Sequence, residues 1–301
     1  SFVSRGLGDV YKRQIIIFIE VSMKKKILLT GAGGRLGSYL REPLSKVCSE
    51  LVSTDIKKNI GELNENETYF SADLSNFDQI CELIKDVSLI CHFGALVDEV
   101  PFGDMLGANF IGSYNVWESA RLNNCKRIVY ASSIHAVGMY KRTKTLRPKT
   151  AHRADGFYGL SKCFTENLAR MYYDKCGIEA VCLRIATCSP VTTQRSLTSW
   201  LSYDDLVQLV MRAIDTAHTG YSVVYGVSDN DRSNLSNVDS GHLGFKPKDN
   251  AEIYANKIFA DDLTEELADE GNKLHGGPFA STDLGVSAMD KMKIVYSHKG
   301  D

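Results

Sequence analysis

Tyr158 and Lys162 stand four residues apart in Phe157-Tyr158-Gly159-Leu160-Ser161-Lys162, a spacing that puts both on one face of a helix. A phenol titrates near about 10 and is a poor base at neutral pH. A neighbouring ammonium stabilises the phenolate and lowers that value, so the pair can serve as a proton acceptor. Tyr140 and Lys144 repeat the spacing, but they belong to the basic stretch Lys141-Arg142-Thr143-Lys144, which reads as a solvated loop. Tyr158 instead follows a β run ending at Ser132-Ser133 and opens an amphipathic helix. Ser133 can donate a hydrogen bond to a substrate oxygen while Tyr158 exchanges its proton.

A base of this kind needs an electron acceptor beside it, and the amino-terminal part of the chain offers a place for one. Lys26-Ile27-Leu28-Leu29-Thr30 is an apolar β run that feeds the glycine-rich turn Gly31-Ala32-Gly33-Gly34-Arg35-Leu36-Gly37, and the turn feeds a helix. Glycines at 31, 34 and 37 allow a tight turn and let a pyrophosphate approach the N–H groups of the helix start. Unpaired donors and the helix dipole stabilise a dinucleotide anion there. Asp55 closes the next apolar run, Leu51-Val52-Ser53-Thr54-Asp55, about twenty residues beyond the glycines, where a carboxylate receives the adenosine ribose hydroxyls. Its charge repels a 2′-phosphate, so the pair favours NAD over NADP.

These residues need a scaffold that places them at strand ends. Apolar β runs at 26–30, 50–54, 69–74, 89–93, 127–131 and 179–184 alternate with helical patterns through about 47, over 77–85, 104–123 and 157–175. Such βαβ alternation predicts an α/β fold of the Rossmann type, a doubly wound parallel sheet with ligands at the carboxyl ends of its strands. A small carboxyl-terminal substrate lobe is expected mainly from about 185, with residues 23–282 forming one domain and 283–301 a tail. Asp204-Asp205 reads as the cap of a helix beginning near 204, and Gly276-Gly277-Pro278-Phe279 as a plain turn. Residues 1–22 are set apart as a non-native leader. Ile15-Ile16-Ile17-Phe18-Ile19 is too short to span a bilayer, Asp9 to Gln14 resembles a translated adapter, and Met23 is the expected start.

The chain has 301 residues, 44% of them hydrophobic and 24% charged, ample for one large core. A formal net charge of −2 gives no electrostatic case for nucleic acid or an anionic membrane. Eight cysteines (48, 81, 91, 125, 163, 176, 182, 188) form no CxxC pair and show no metal-ligand spacing with histidine. They read as free thiols in a reducing cytoplasm, and no metal is expected.

Together the glycine turn, Asp55, Asp73-Leu74, Ser133 and Tyr158…Lys162 resemble the extended short-chain dehydrogenase/reductase superfamily, NAD-dependent epimerase/dehydratase-like. Ala131-Ser132-Ser133-Ile134-His135-Ala136-Val137-Gly138, Leu168-Ala169-Arg170-Met171-Tyr172-Tyr173, Cys182-Leu183-Arg184-Ile185 and Thr198-Ser199-Trp200-Leu201-Ser202 narrow the likeness to the bacterial uronate dehydrogenases, over roughly 24–280. The resemblance implies oxidation of galacturonate or glucuronate at the anomeric carbon with NAD, giving an aldarolactone. It implies that Asp73 and Leu74 flank the adenine, that Phe93-Gly94-Ala95-Leu96 line the cofactor channel, and that Lys162 also binds the nicotinamide ribose. It further implies His135 and Thr187 as sugar contacts, Arg195 as the holder of the uronate carboxylate, Phe279 as a late aromatic over the pocket, and Asn109 as a support for the active-site helix. A guanidinium suits the carboxylate because it makes two parallel hydrogen bonds to it. The implied partners are a small sugar acid and further copies of the chain.

Three positions depart from that pattern. Ile134 replaces an asparagine, Val97 replaces a serine, and Val191-Thr192-Thr193-Gln194 replaces a loop richer in proline and acid. Each change removes polar reach from a sugar pocket, where an unsatisfied hydroxyl costs about 1–3 kcal/mol. A nucleotide-sugar epimerase or dehydratase shares the cofactor machinery but needs a larger carboxyl-terminal lobe, and only about a hundred residues follow Arg184. A non-catalytic NAD sensor needs none of Ser133, Tyr158 and Lys162.

Overall fold

A computed structural model describes residues 25–261 and 264–292. The expected leader and the end of the expected tail lie outside the described residues. Seven strands, β1 (Lys26–Thr30), β2 (Glu50–Asp55), β3 (Glu67–Ser71), β4 (Leu89–His92), β5 (Arg127–Ser133), β6 (Glu179–Ile185) and β7 (Tyr221–Gly226), form one sheet in the order β3-β2-β1-β4-β5-β6-β7. Every neighbouring pair is parallel. The order reverses beside β1, so the connections leaving β1 and β4 run in opposite directions and open a crevice at their carboxyl ends.

Alternation along the strands supplies both faces. Ile27 and Leu29 of β1 join Leu40 and Leu44 of α1 (Arg35–Ser45) on one side, while Leu28 joins the opposite cluster. That second cluster includes Ile80 of α2 (Phe77–Leu83), Val116 and Trp117 of α3 (Gly112–Leu122), and Leu168 and Ala169 of α4 (Phe157–Cys176). Strands buried on both faces carry near-continuous apolar runs, which is why β1 and β6 stand out in the sequence. α4 stops at Gly177, whose left-handed φ of +69° lets its N–H reach Tyr173 O at 2.9 Å.

Several expectations change. α5 (Tyr203–Asp215) is capped by Ser202, whose Oγ accepts from Asp205 N at 3.0 Å. Asp205 is buried instead, accepting Ser228 Oγ at 2.6 Å and Lys248 N at 2.9 Å. α5 packs on the first face and β7 completes the sheet, so the chain beyond 185 builds scaffold as well as pocket. The helix expected over 104–123 is interrupted. A short turn at Phe102–Met105 leads into a π-helical segment, Leu106–Ile111, before α3 begins. Residues 283–292, expected as tail, are tied down at Asp98. Its Oδ1 accepts Ala288 N at 3.0 Å and Met289 N at 3.2 Å, and Ala288 is fully buried. No described helix is long and apolar enough to cross a membrane.

Candidate functional site

The glycine turn lies at the carboxyl end of β1. Gly31 has a φ of +72°, and a Cβ there would fall 2.6 Å from Gly94 N; one on Gly37 would fall 2.0 Å from Gly31 O. Only glycine fits either position. Gly34 precedes α1 and supplies no side-chain cap, so the helix start at Arg35, Leu36 and Gly37 has the form that receives an anion. Asp55 ends β2 against this turn, with Oδ2 accepting Gly33 N at 3.0 Å and Oδ1 accepting Lys57 N at 3.1 Å. Thr30 Oγ1 accepts Gly94 N at 3.0 Å, which joins the end of β1 to Phe93-Gly94-Ala95 after β4. Leu74 packs on Gly94, where a Cβ would meet its Cδ1 at 2.9 Å. Asp73 is exposed beside it and accepts Ser75 N at 2.8 Å. The structure thus brings together, at the carboxyl ends of β1, β2 and β4, the residues expected to hold a dinucleotide, and the glycine cradle and uncapped helix fit its pyrophosphate.

The second group gathers at the carboxyl end of β5. Tyr158 is 5% exposed and Lys162 3% exposed, both in the first turns of α4. Lys162 Nζ lies 5.3 Å from the Tyr158 ring centroid and donates to Ala131 O at 2.9 Å. Burial pushes the Lys162 ammonium down to about 7, with the Glu166 carboxylate opposing the change. Ser133 closes β5 and accepts from His135 N at 3.3 Å. The His135 ring stands 5.5 Å from the Tyr158 ring and 4.0 Å from that of Phe279, and its Nδ1 lies 2.7 Å from Asp155 Oδ2. Phe279 is therefore more than part of a turn: its buried ring also lies 6.0 Å from Tyr158.

Positioning comes from residues that local patterns do not reveal. Glu99, 1% exposed, accepts Phe157 N and Tyr158 N, each at 3.0 Å, and so caps α4 from 58 residues away. Asn109, held in the π-helical segment, brackets Leu96 through its N at 2.8 Å and its O at 3.0 Å, and donates to Ser161 Oγ at 3.1 Å. Glu166 pins α4 to the sheet by accepting Ser132 Oγ at 2.5 Å and Arg184 Nη2 at 2.8 Å. Burial alone would raise the Glu166 pKa, but hydrogen bonds from His152 and Arg184 overcome it and hold it down at about 2. Lys162 and Glu166 are one helical turn apart, a spacing visible in the sequence. Nothing local links Glu99 to residue 157.

Arg195 and Thr187 meet at the far end of the site. Arg195 Nη1 donates to Thr187 Oγ1 at 3.3 Å and Nη2 to His275 O at 2.7 Å. Burial lowers the Arg195 pKa to about 10, and the Arg142 charge adds to the effect, which still leaves the guanidinium charged at neutral pH. Of the departures, Ile134 is buried with Val137, Leu146, Tyr225 and Val227, while Val97 is exposed. Among the described residues, no three His, Cys, Asp or Glu side chains form a group able to hold a metal ion.

Residues 27–194 match the model of the NAD dependent epimerase/dehydratase family. Uronate dehydrogenase of Pseudomonas syringae pv. tomato is 37% identical over 258 residues, 85% of this chain and 94% of the relative. NAD-dependent glucose-6-phosphate dehydrogenase of Haloferax volcanii is 31% identical over 264 residues, covering 76% of this chain and 95% of the relative. Among solved structures, a mutant uronate dehydrogenase from Agrobacterium tumefaciens complexed with NAD superposes with a TM-score of 0.83 at 37% identity, covering 87% of this chain and 98% of that one. With a glycine cradle and an acid-tipped β2 of the kind such folds use for NAD, the chain belongs to the NAD-dependent epimerase/dehydratase family.

Proposed function

We propose that this NAD-dependent dehydrogenase oxidises a hexuronate, galacturonate or glucuronate, at C1 to the aldarolactone. Uronate dehydrogenases that align with most of the chain support the substrate class. The observation that carries the chemistry is the buried Tyr158–Lys162 pair at the carboxyl end of β5, with Lys162 Nζ 5.3 Å from the phenol ring.

Tyr158 takes the proton of the C1 hydroxyl, and Ser133 donates a hydrogen bond to that oxygen as it becomes a carbonyl. NAD, when bound, accepts the hydride that leaves C1. Lys162 holds the phenolate by its charge and, in this reading, reaches the nicotinamide ribose as well. His135, oriented by Asp155, and Thr187 address sugar hydroxyls. Gly31, Gly34, Arg35, Leu36, Gly37, Asp55, Asp73, Leu74, Phe93, Gly94 and Ala95 hold the dinucleotide. Arg195 holds the C6 carboxylate.

NADH absorbance with galacturonate, glucuronate, neutral hexoses and UDP-sugars supplied separately tests the proposal. NADH formation with uronates but not with galactose is the expected result, and turnover confined to UDP-sugars would favour a nucleotide-sugar enzyme. Arg195→Ala is expected to raise KM for uronates by about 30-fold or more, the worth of a charge-assisted hydrogen bond, with neutral hexoses unaffected. Equal changes for both substrates would remove the carboxylate role.

A further inference from the structure

The basic stretch Lys141–Lys144, expected as a solvated loop, keeps Lys141, Thr143 and Lys144 exposed but pairs its backbone with residues 273–275. Arg142 N donates to Lys273 O at 2.8 Å, His275 N donates to Tyr140 O at 2.9 Å, and His275 Nε2 lies 3.0 Å from Lys144 O. The same segment holds Arg195: its Nη2 donates to His275 O, and a Cβ on Gly277 would fall 2.3 Å from its Nε. Two residues further on, Phe279 reaches His135 and Tyr158. Residues 273–279 therefore run from Arg142 past Arg195 to the tyrosine.

Two guanidinium nitrogens along this path are buried without a hydrogen-bond partner, Arg195 Nε and Arg142 Nη1. The acids nearby leave them so. Asp155 directs one oxygen to His135 while its other oxygen is unpartnered, and Glu266 accepts the backbone N of Arg195 at 2.7 Å. Arg142 is the largest single charge acting on the Arg195 guanidinium, with Asp155 and Glu266 opposing it, and both cations act on His275. The two acids offset part of this repulsion but leave both buried donors unsatisfied, a shortfall that a bound anion can relieve.

We propose that Arg142 is a second specificity-determining cation, which with Arg195 holds the anionic group on the sugar carbon farthest from C1. The inference rests on the hexuronate reading, and the chemistry recognised is an anion at C6, carried by a carboxylate or by a phosphate ester. Calorimetric titration of the NAD-loaded protein with galacturonate, glucose 6-phosphate and galactose, in wild type, Arg142→Gln and Arg142→Lys, tests it. Arg142→Gln is expected to weaken the bound anion by about tenfold or more, with NAD affinity and melting temperature retained and part of the loss recovered in Arg142→Lys. Unchanged uronate affinity in Arg142→Gln overturns the assignment while the hexuronate reading stands. Equal weakening of galactose also overturns it, because that marks a structural role. Wild-type binding of the phosphate alone, weakened in Arg142→Gln, supports Arg142 and removes the hexuronate reading. Binding of neither anion overturns both.

Discussion

Tyr158→Phe is expected to lower kcat for uronate oxidation by about a thousandfold or more, while the Kd for NAD stays within about twofold. The substitution removes one hydroxyl and keeps the ring. That ring packs among Met105, Phe279 and Ala288 in a small buried cluster and lies 5.5 Å from His135, contacts a phenylalanine reproduces. Lys162 retains its hydrogen bond to Ala131 O at 2.9 Å, and the glycine turn lies on another element, so the dinucleotide loses little. Stopped-flow turnover and fluorescence titration of NAD separate the two effects. If turnover persists at the wild-type rate, proton removal belongs to another group.

The parts of this site that the sequence makes legible are those built within one βα unit. Gly31, Gly37 and Asp55 belong to consecutive elements, and each meets a local demand: a left-handed φ, a close approach, or a strand end against a turn. Tyr158 and Lys162 need only the helical period. Illegible were the groups that act across the chain. Glu99 reaches α4 from the loop after β4, and Asp98 fixes Ala288 from 190 residues away. Their partners are backbone amides, which leave no mark in residue types. The helix start near 204 fell to a different competition. Asp204 and Asp205 both suit a cap, but Ser202 is the residue before the first helical turn, and burial draws Asp205 toward Ser228 and Lys248. β7 was hidden because Ser222, inside its apolar run, is a buried hydroxyl that bonds Thr219 O at 2.6 Å rather than an exposed polar residue. The Lys141–Lys144 stretch is the exposed loop its charges suggest, but composition gives no sign that its backbone pairs with 273–275.

Lys162→Met is expected to move activity and stability in opposite directions. A thioether cannot stabilise a phenolate, so kcat falls by about a hundredfold to ten-thousandfold. Stability should rise at low pH. Burial lowers the Lys162 pKa from 10.5 to about 7, so the folded chain releases this proton more readily than the unfolded chain. Below about 7 the ammonium is charged in both states and its full desolvation cost opposes folding. Between about 7 and 10.5 the unfolded chain binds more protons, so wild-type stability climbs with pH, and above that window the contribution vanishes. Methionine has no such dependence. It removes the desolvation cost and leaves Ala131 O without its side-chain donor, for a net gain of about 2–4 kcal/mol at pH 6 that shrinks toward pH 10. Urea unfolding of the protein without dinucleotide at pH 6 and pH 9 measures both values. A variant less stable than wild type at pH 6 would show that the hydrogen bond to Ala131, with the attraction of Glu166, outweighs desolvation. The opposite result means that the fold holds a destabilising charge where its proposed chemistry needs a cation.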